Sequence, residues 1–144
     1  MNTSERFKNK HVLITGGARG IGFAVAKHFA REGAIISILD FSRELLDRSM
    51  KELARITQEV YPYHVDVSQR LAVNDAVSAA ENIQPVDILI NNVGVAFETP
   101  FLHIEESEWK KVLDINLSGM FYVAQSVCRF MAGRKKGVVV NMAS

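Results

Sequence analysis

Along the whole chain, short apolar runs alternate with stretches whose apolar positions recur every three or four residues. That alternation predicts a parallel sheet covered by helices. The strand-like runs are His11 to Ile14, Ile35-Ile-Ser-Ile-Leu39, Val60 to Val65, Val86-Asp-Ile-Leu-Ile90 and Gly137-Val-Val-Val-Asn-Met142. Between the first two, Ile21, Ala24, Val25 and Phe29 share one helical face, and Gly33 is placed to end that helix. Ser42 suits the start of a second helix, in which Leu45, Leu46, Ser49, Met50, Leu53 and Ala54 keep the spacing. A third begins at Asp66-Val67-Ser68 and turns Leu71, Ala76, Val77 and Ala80 inward. From Glu106 to Ala132 a long pattern runs through Trp109, Val112, Leu113, Met120, Ala124 and Val127, with Ile115, Leu117, Phe121 and Phe130 outside the main stripe. A face wider than one sheet contact predicts a subunit interface, or else a helix buried on several sides within its own domain.

The third strand contains Pro62, which removes a ladder donor and belongs at a sheet edge. A doubly wound order of 3-2-1-4-5 puts it there. The expectation is an α/β fold over residues 1–144, read as one unit. The fifth strand would be left as an open hydrophobic edge, because the sixth and seventh strands of such a sheet are missing.

Composition narrows the functional classes. With 144 residues, 48% of them hydrophobic and 23% charged, the chain matches one ordinary globular unit. Seventeen basic against sixteen acidic residues leave a formal charge of +1, so no basic field marks a nucleic-acid or membrane surface. Arg134-Lys-Lys136 reads as a helix C-terminus. One cysteine, Cys128, cannot form an intrachain disulfide and fits a reducing cytoplasm. No apolar run approaches the ~20 residues of a membrane span, and the polar start is no signal peptide. His11, His28, His64 and His103 are scattered without metal-ligand spacing. Glu105, Glu106 and Glu108 gather at a helix start, which favours acids electrostatically.

The informative chemistry is in Thr15-Gly-Gly-Ala-Arg-Gly-Ile-Gly22, which joins the first strand to the first helix. A strand that must turn sharply into a helix needs backbone angles that glycine allows, and missing side chains let an anion approach. The unpaired N–H groups at the helix start, with the positive end of its dipole, suit a dinucleotide pyrophosphate. Asp40 ends the second strand about twenty residues on, where the dinucleotide fold has its ribose-binding acid. A carboxylate accepts from both ribose hydroxyls and repels a 2′-phosphate, which favours NAD over NADP. The competing role for Asp40 is a cap on the following turn, with Ser42 as the helix N-cap.

Together these motifs resemble the short-chain dehydrogenase/reductase family, compact type, from Lys10 to the last residue. Gly16, Gly20 and Gly22 match its glycine spacing, and Asn91-Asn-Val-Gly94 is similar to its Asn-Asn-Ala-Gly signature, with Val93 for alanine. Asp66-Val67 resembles the pair bracketing the adenine, Asn116 the catalytic-helix asparagine and Ser144 the catalytic serine. The resemblance implies a Rossmann-like fold and hydride transfer between nicotinamide and an alcohol or carbonyl substrate. It implies cofactor contacts from Gly16, Gly17, Ala18, Arg19, Gly20, Ile21, Gly22, Asp40, Asp66, Val67, Asn92 and Gly94. Asn92 alternatively serves as a structural tie between loops. Asn116 would hold a proton-relaying water through its carbonyl, and Ser144 would donate to the substrate oxygen. Arg19, just before the second glycine, is a feature of NADP users, but Asp40 should dominate.

The family's acid/base Tyr-x-x-x-Lys pair has no counterpart, since none of Tyr61, Tyr63 and Tyr122 is followed four residues on by lysine. A phenol of pKa ~10 needs that cation to act near neutrality. These 144 residues are therefore expected to give little or no turnover. Two accounts remain open: the front portion of a longer, homo-oligomeric oxidoreductase, and a non-catalytic dinucleotide-binding or interaction fragment.

Overall fold

The computed structural model describes residues 5–143. Five parallel strands, β1 (His11–Thr15), β2 (Ile35–Asp40), β3 (Val60–His64), β4 (Ile88–Asn91) and β5 (Val138–Asn141), form one sheet in the order β3-β2-β1-β4-β5. This is the doubly wound, Rossmann-like arrangement that the sequence predicts. Pro62 pairs with Ile38 on the edge strand β3, where a missing N–H costs least.

The helices are α1 (Gly20–Arg31), α2 (Arg43–Leu53), α3 (Arg70–Ile83), α4 (Glu106–Leu113) and α5 (Met120–Arg134). β1 is buried along its whole length, and each sheet face carries its own core. On one face Val12, Ile14, Ile36 and Ile38 meet Ala26 and Ala30 of α1 and Leu46 and Leu53 of α2. On the other, Leu13, Leu39 and Leu89 meet Val73 and Val77 of α3 and Val123, Val127 and Met131 of α5.

Three expected faces are corrected. In α1 the residues nearest the sheet are Gly22, Ala26 and Ala30, while Ile21 and Ala24 are exposed. Small residues occupy the line of closest approach, and the larger Phe23, Val25 and Phe29 flank it half-buried. In α3 the inward set is Val73, Ala76, Val77 and Ala80, and Leu71 is exposed. The cause is a later start: Asp66 Oδ1 accepts from the Ser68 N–H at 2.9 Å and its hydroxyl at 2.8 Å, a local turn that delays the helix to Arg70. The long pattern from Glu106 is interrupted by a π-helical turn, Asp114–Gly119, between α4 and α5. That turn re-phases the helix, so Gly119, Val123, Val127 and Met131 are buried while Trp109 and Cys128 are exposed.

His11 is fully buried at the start of β1. One ring nitrogen donates to the Gln84 carbonyl at 2.7 Å, and the other accepts from the Ser37 hydroxyl at 2.8 Å. Burial lowers its pKa, opposed by the Gln84 bond and by Glu81 and Asp87. Val86, at the entry to β4, is fastened by Arg134 from α5. The guanidinium holds both oxygens of the nearly buried Glu81 carboxylate, at 2.7 and 3.2 Å, and donates to the Val86 carbonyl at 2.9 Å.

Candidate functional site

The turn from β1 into α1 takes its shape from two glycines in left-handed conformation, Gly16 (φ 61°) and Gly20 (φ 55°). Side chains disfavour that region, which accounts for glycine at both places. The first ladder bond of α1 runs from the Phe23 N–H to the Arg19 carbonyl at 3.1 Å. The N–H groups of Gly20, Ile21 and Gly22 ahead of it have no helical partner, leaving donors and the positive helix end for an anion. A Cβ on Gly22 would stand 2.3 Å from the Gly16 carbonyl oxygen and 2.6 Å from Asn92 Nδ2. Only a bare Cα lets the helix start lie this close to the turn.

Thr15 and Asn92 bind this turn to β4. The Thr15 hydroxyl accepts from the backbone N–H groups of Asn92 and Val93 at 3.0 and 3.1 Å. In return the Asn92 carboxamide donates to the carbonyls of Thr15 and Gly16 at 3.1 and 3.2 Å. Asn92 thus serves as the tie between loops.

Asp40 is buried, with both oxygens committed to backbone. Oδ2 accepts from the Ala18 N–H at 3.2 Å and Oδ1 from the Ser42 N–H at 3.1 Å. Ser42 caps α2 by accepting from the Leu45 N–H at 3.3 Å. The carboxylate therefore joins the glycine turn to the turn after β2 while forming part of the cleft wall. Lone pairs remain on each oxygen for further donors.

A cleft of about 450 Å³ opens at the C-terminal ends of the strands, the position that ligands take in doubly wound sheets. It is lined by Gly16, Arg19, Gly20 and Ile21 from the turn, by Leu39, Asp40 and Phe41, and by Val65, Asp66 and Val67. Asn92 to Val95 and, from the helices, Lys111 and Ile115 complete it. Two acids and two cations, Asp40, Asp66, Arg19 and Lys111, are its charged side chains. Beside it a hollow of about 430 Å³ shares Ile21, Asn92, Val93 and Gly94 and adds Asn116, Met120, Met142 and Ala143.

Asn116 lies in the π turn. Its Oδ1 accepts from the Val95 N–H and its Nδ2 donates to the Val95 carbonyl, each at 2.8 Å. This two-point clamp fixes the strandless segment after β4 to the helix. Lys111 adds a second fastening, its ammonium 5.8 Å from the centre of the Phe97 ring. Gly119 lets the same turn settle on Val67, whose Cγ2 lies 2.6 Å from where a Cβ would be.

Of the residues singled out from sequence, Gly16, Arg19, Gly20, Ile21, Asp40, Asp66, Val67, Asn92 and Gly94 converge on the cleft, and Asn116 on the neighbouring hollow. Gly17, Ala18 and Gly22 do not line it. Gly17 faces inward, where a Cβ would meet Ile38 at 2.9 Å, and the Ala18 N–H is taken by Asp40. Gly22 is spent on close packing. Ser144 lies outside the described residues. Sequence reasoning missed Thr15, Phe41 and Lys111. A threonine closing a buried strand was the available signal for the first. Among the described residues no group of three metal-ligating side chains gathers, and no helix is long and apolar enough to cross a membrane.

A doubly wound sheet with a glycine-shaped cleft at its strand ends places the chain among the Rossmann-like α/β proteins. The family model for short chain dehydrogenase matches residues 10–144, and the chain belongs to that family. It is 35% identical over 140 residues to a 3-oxoacyl-acyl-carrier-protein reductase of Thermotoga maritima, covering 96% of this chain and 57% of the relative. It is 34% identical to a 3alpha-hydroxysteroid dehydrogenase of Mediterraneibacter gnavus, over 95% of this chain and 56% of the relative. The solved structure of an NAD⁺-bound xylitol dehydrogenase superposes with a TM-score of 0.91 at 34% identity, covering 96% of this chain and 54% of that one. The chain thus spans a little over half the length of these relatives.

Proposed function

We propose that residues 1–144 form the dinucleotide-binding unit of an oxidoreductase that prefers NAD and acts on a small alcohol or carbonyl substrate. The observation that carries this reading is the cradle at the start of α1: two left-handed glycines, free helix-start N–H groups and a Gly22 whose Cβ has no room. Those donors suit the pyrophosphate, with Arg19 beside them. Asp40 would accept from the adenosine ribose, and its negative charge disfavours a 2′-phosphate. Asp66 and Val67 suit the adenine edge, and Gly94 leaves space beside it. NAD bound here would supply the hydride acceptor or donor.

Ser144 would donate a hydrogen bond to the substrate oxygen and stabilise charge developing there. Asn116 would support the proton path through its backbone carbonyl while its side chain holds Val95. No tyrosine in residues 1–144 is followed four positions on by lysine, so this span alone is expected to bind the dinucleotide without appreciable turnover. Exposed Trp109, Leu117, Phe121 and Phe130 along α4, the π turn and α5 support a homo-oligomer. Size-exclusion chromatography with light scattering tests it, and a monomer at high concentration refutes it. The single cysteine is consistent with a cytoplasmic setting.

The decisive experiment is calorimetric titration with NADH and NADPH. Tighter NADH binding is expected, with the preference diminished in Asp40→Ala. Tighter NADPH binding would refute the assignment of Asp40, and no heat with either would refute the dinucleotide reading.

A further inference from the structure

His64 closes the edge strand β3 as the register partner of Asp40, and the Val65 N–H beyond it donates to the Asp40 carbonyl at 2.9 Å. The residue is exposed, yet both ring nitrogens are engaged. Nε2 lies 2.7 Å from the Phe41 carbonyl oxygen, which can only accept, so the ring proton sits on Nε2. Nδ1 then carries a lone pair, and the Arg43 guanidinium donates to it at 3.4 Å. One neutral imidazole thus fastens both flanks of Ser42, the residue that caps α2.

The resting place of Arg43 is costly for a cation. It opens α2, at the helix end whose dipole disfavours positive charge. Among the described residues no carboxylate stands within ion-pair distance of it, and its partner is an uncharged nitrogen. Arg43 follows Asp40 by three positions, but it does not line the cleft that Asp40 and Phe41 line.

We propose that His64 is a specificity-determining residue: by holding Arg43 against β3, it keeps a cation away from the corner of the cleft beside Asp40, and that corner stays hostile to a 2′-phosphate. The inference rests on the reading above, in which Asp40 takes the adenosine ribose. Asp40 supplies the repulsion, and His64 withholds the attraction that would offset it. Released from the ring, the guanidinium is a long flexible arm for which a phosphate is a far stronger acceptor than a neutral nitrogen.

Titration calorimetry with NADH and NADPH on the purified protein reads the ratio of the two dissociation constants. His64→Val keeps a strand-forming residue at the edge and removes both ring nitrogens. The ratio should then shift toward NADPH roughly tenfold, the size of one charge-assisted contact to phosphate. His64→Gln, with an amide donor and a carbonyl acceptor, should keep the parent ratio. Combining His64→Val with Arg43→Gln should also return the parent ratio, because the released cation is gone. Thermal unfolding is followed for every variant, and His64→Thr replaces His64→Val if the latter does not fold. An unchanged ratio in the single variant, or the same shift in the double variant, would overturn the role of His64, since a merely loosened turn acts with or without Arg43. If the unsubstituted protein binds neither coenzyme, the dinucleotide reading itself fails and this inference with it.

Discussion

Gly22→Ala gives the sharpest test of the cradle, because the obstacle is backbone. The added Cβ would sit 2.3 Å from the Gly16 oxygen, 2.6 Å from Asn92 Nδ2 and 3.0 Å from the Gly16 carbonyl carbon. No rotamer relieves the oxygen contact, so α1 must retreat from the turn or Asn92 must give way. Retreat is overpacking, typically ~1–3 kcal/mol. Displacing Asn92 breaks its bonds to the Thr15 and Gly16 carbonyls, each worth about 1 kcal/mol. A total near 3 kcal/mol follows, which for a chain of this length lowers Tm by roughly 10 °C. Gly133 in α5 has open space at its Cβ and lies outside the left-handed region, so Gly133→Ala should raise Tm by a few degrees through a helix-propensity gain of about 1 kcal/mol. Melting both variants beside the parent by circular dichroism checks the pair. A Gly22→Ala protein melting within about 3 °C of the parent would refute the reasoning, because ~1 kcal/mol or less would then separate them.

Other consequences are as direct. The lowered pKa of buried His11 means that below pH ~6.5 the unfolded chain binds a proton the folded chain resists. Its contribution is present above that pH and lost on acidification, at up to ~1.4 kcal/mol per pH unit, and an NMR titration placing the His11 midpoint at or above 6.5 would contradict this. Arg134→Met strips the nearly buried Glu81 carboxylate of its partner and should cost about 3 kcal/mol in urea unfolding. A change under about 1 kcal/mol would show that solvent replaces the guanidinium. Asn116→Ala releases both contacts with Val95 and should speed amide exchange in residues 92–97, while exchange in β1 stays slow.

Much of the fold was legible because local rules and tertiary demands agree here. Five apolar runs became five strands, the three central ones buried, and Pro62 fell on an edge. Helix faces were harder. Large apolar residues dominate a helical pattern, yet α1 meets the sheet through Gly22, Ala26 and Ala30. The π turn was invisible to a 3.6-residue period: the broad apolar face from Glu106 onward is two helical phases written in succession. At the site, the glycine turn and Asp40 could be read from spacing alone. The role of Thr15, the Lys111 contact and the hold of His64 on Arg43 could not, since they depend on partners 77, 14 and 21 positions away in sequence.

Asp40 is bonded to the Ala18 and Ser42 amides through separate oxygens, and this constrains any attempt to re-tool coenzyme preference. Replacing it with asparagine would turn an NH₂ group toward one of those two donors, and with alanine would abandon both. In the function proposed above, scaffold and selectivity meet at one carboxylate. Changes of preference are therefore easier to reach through exposed neighbours such as Arg19 and Phe41, with position 40 left alone.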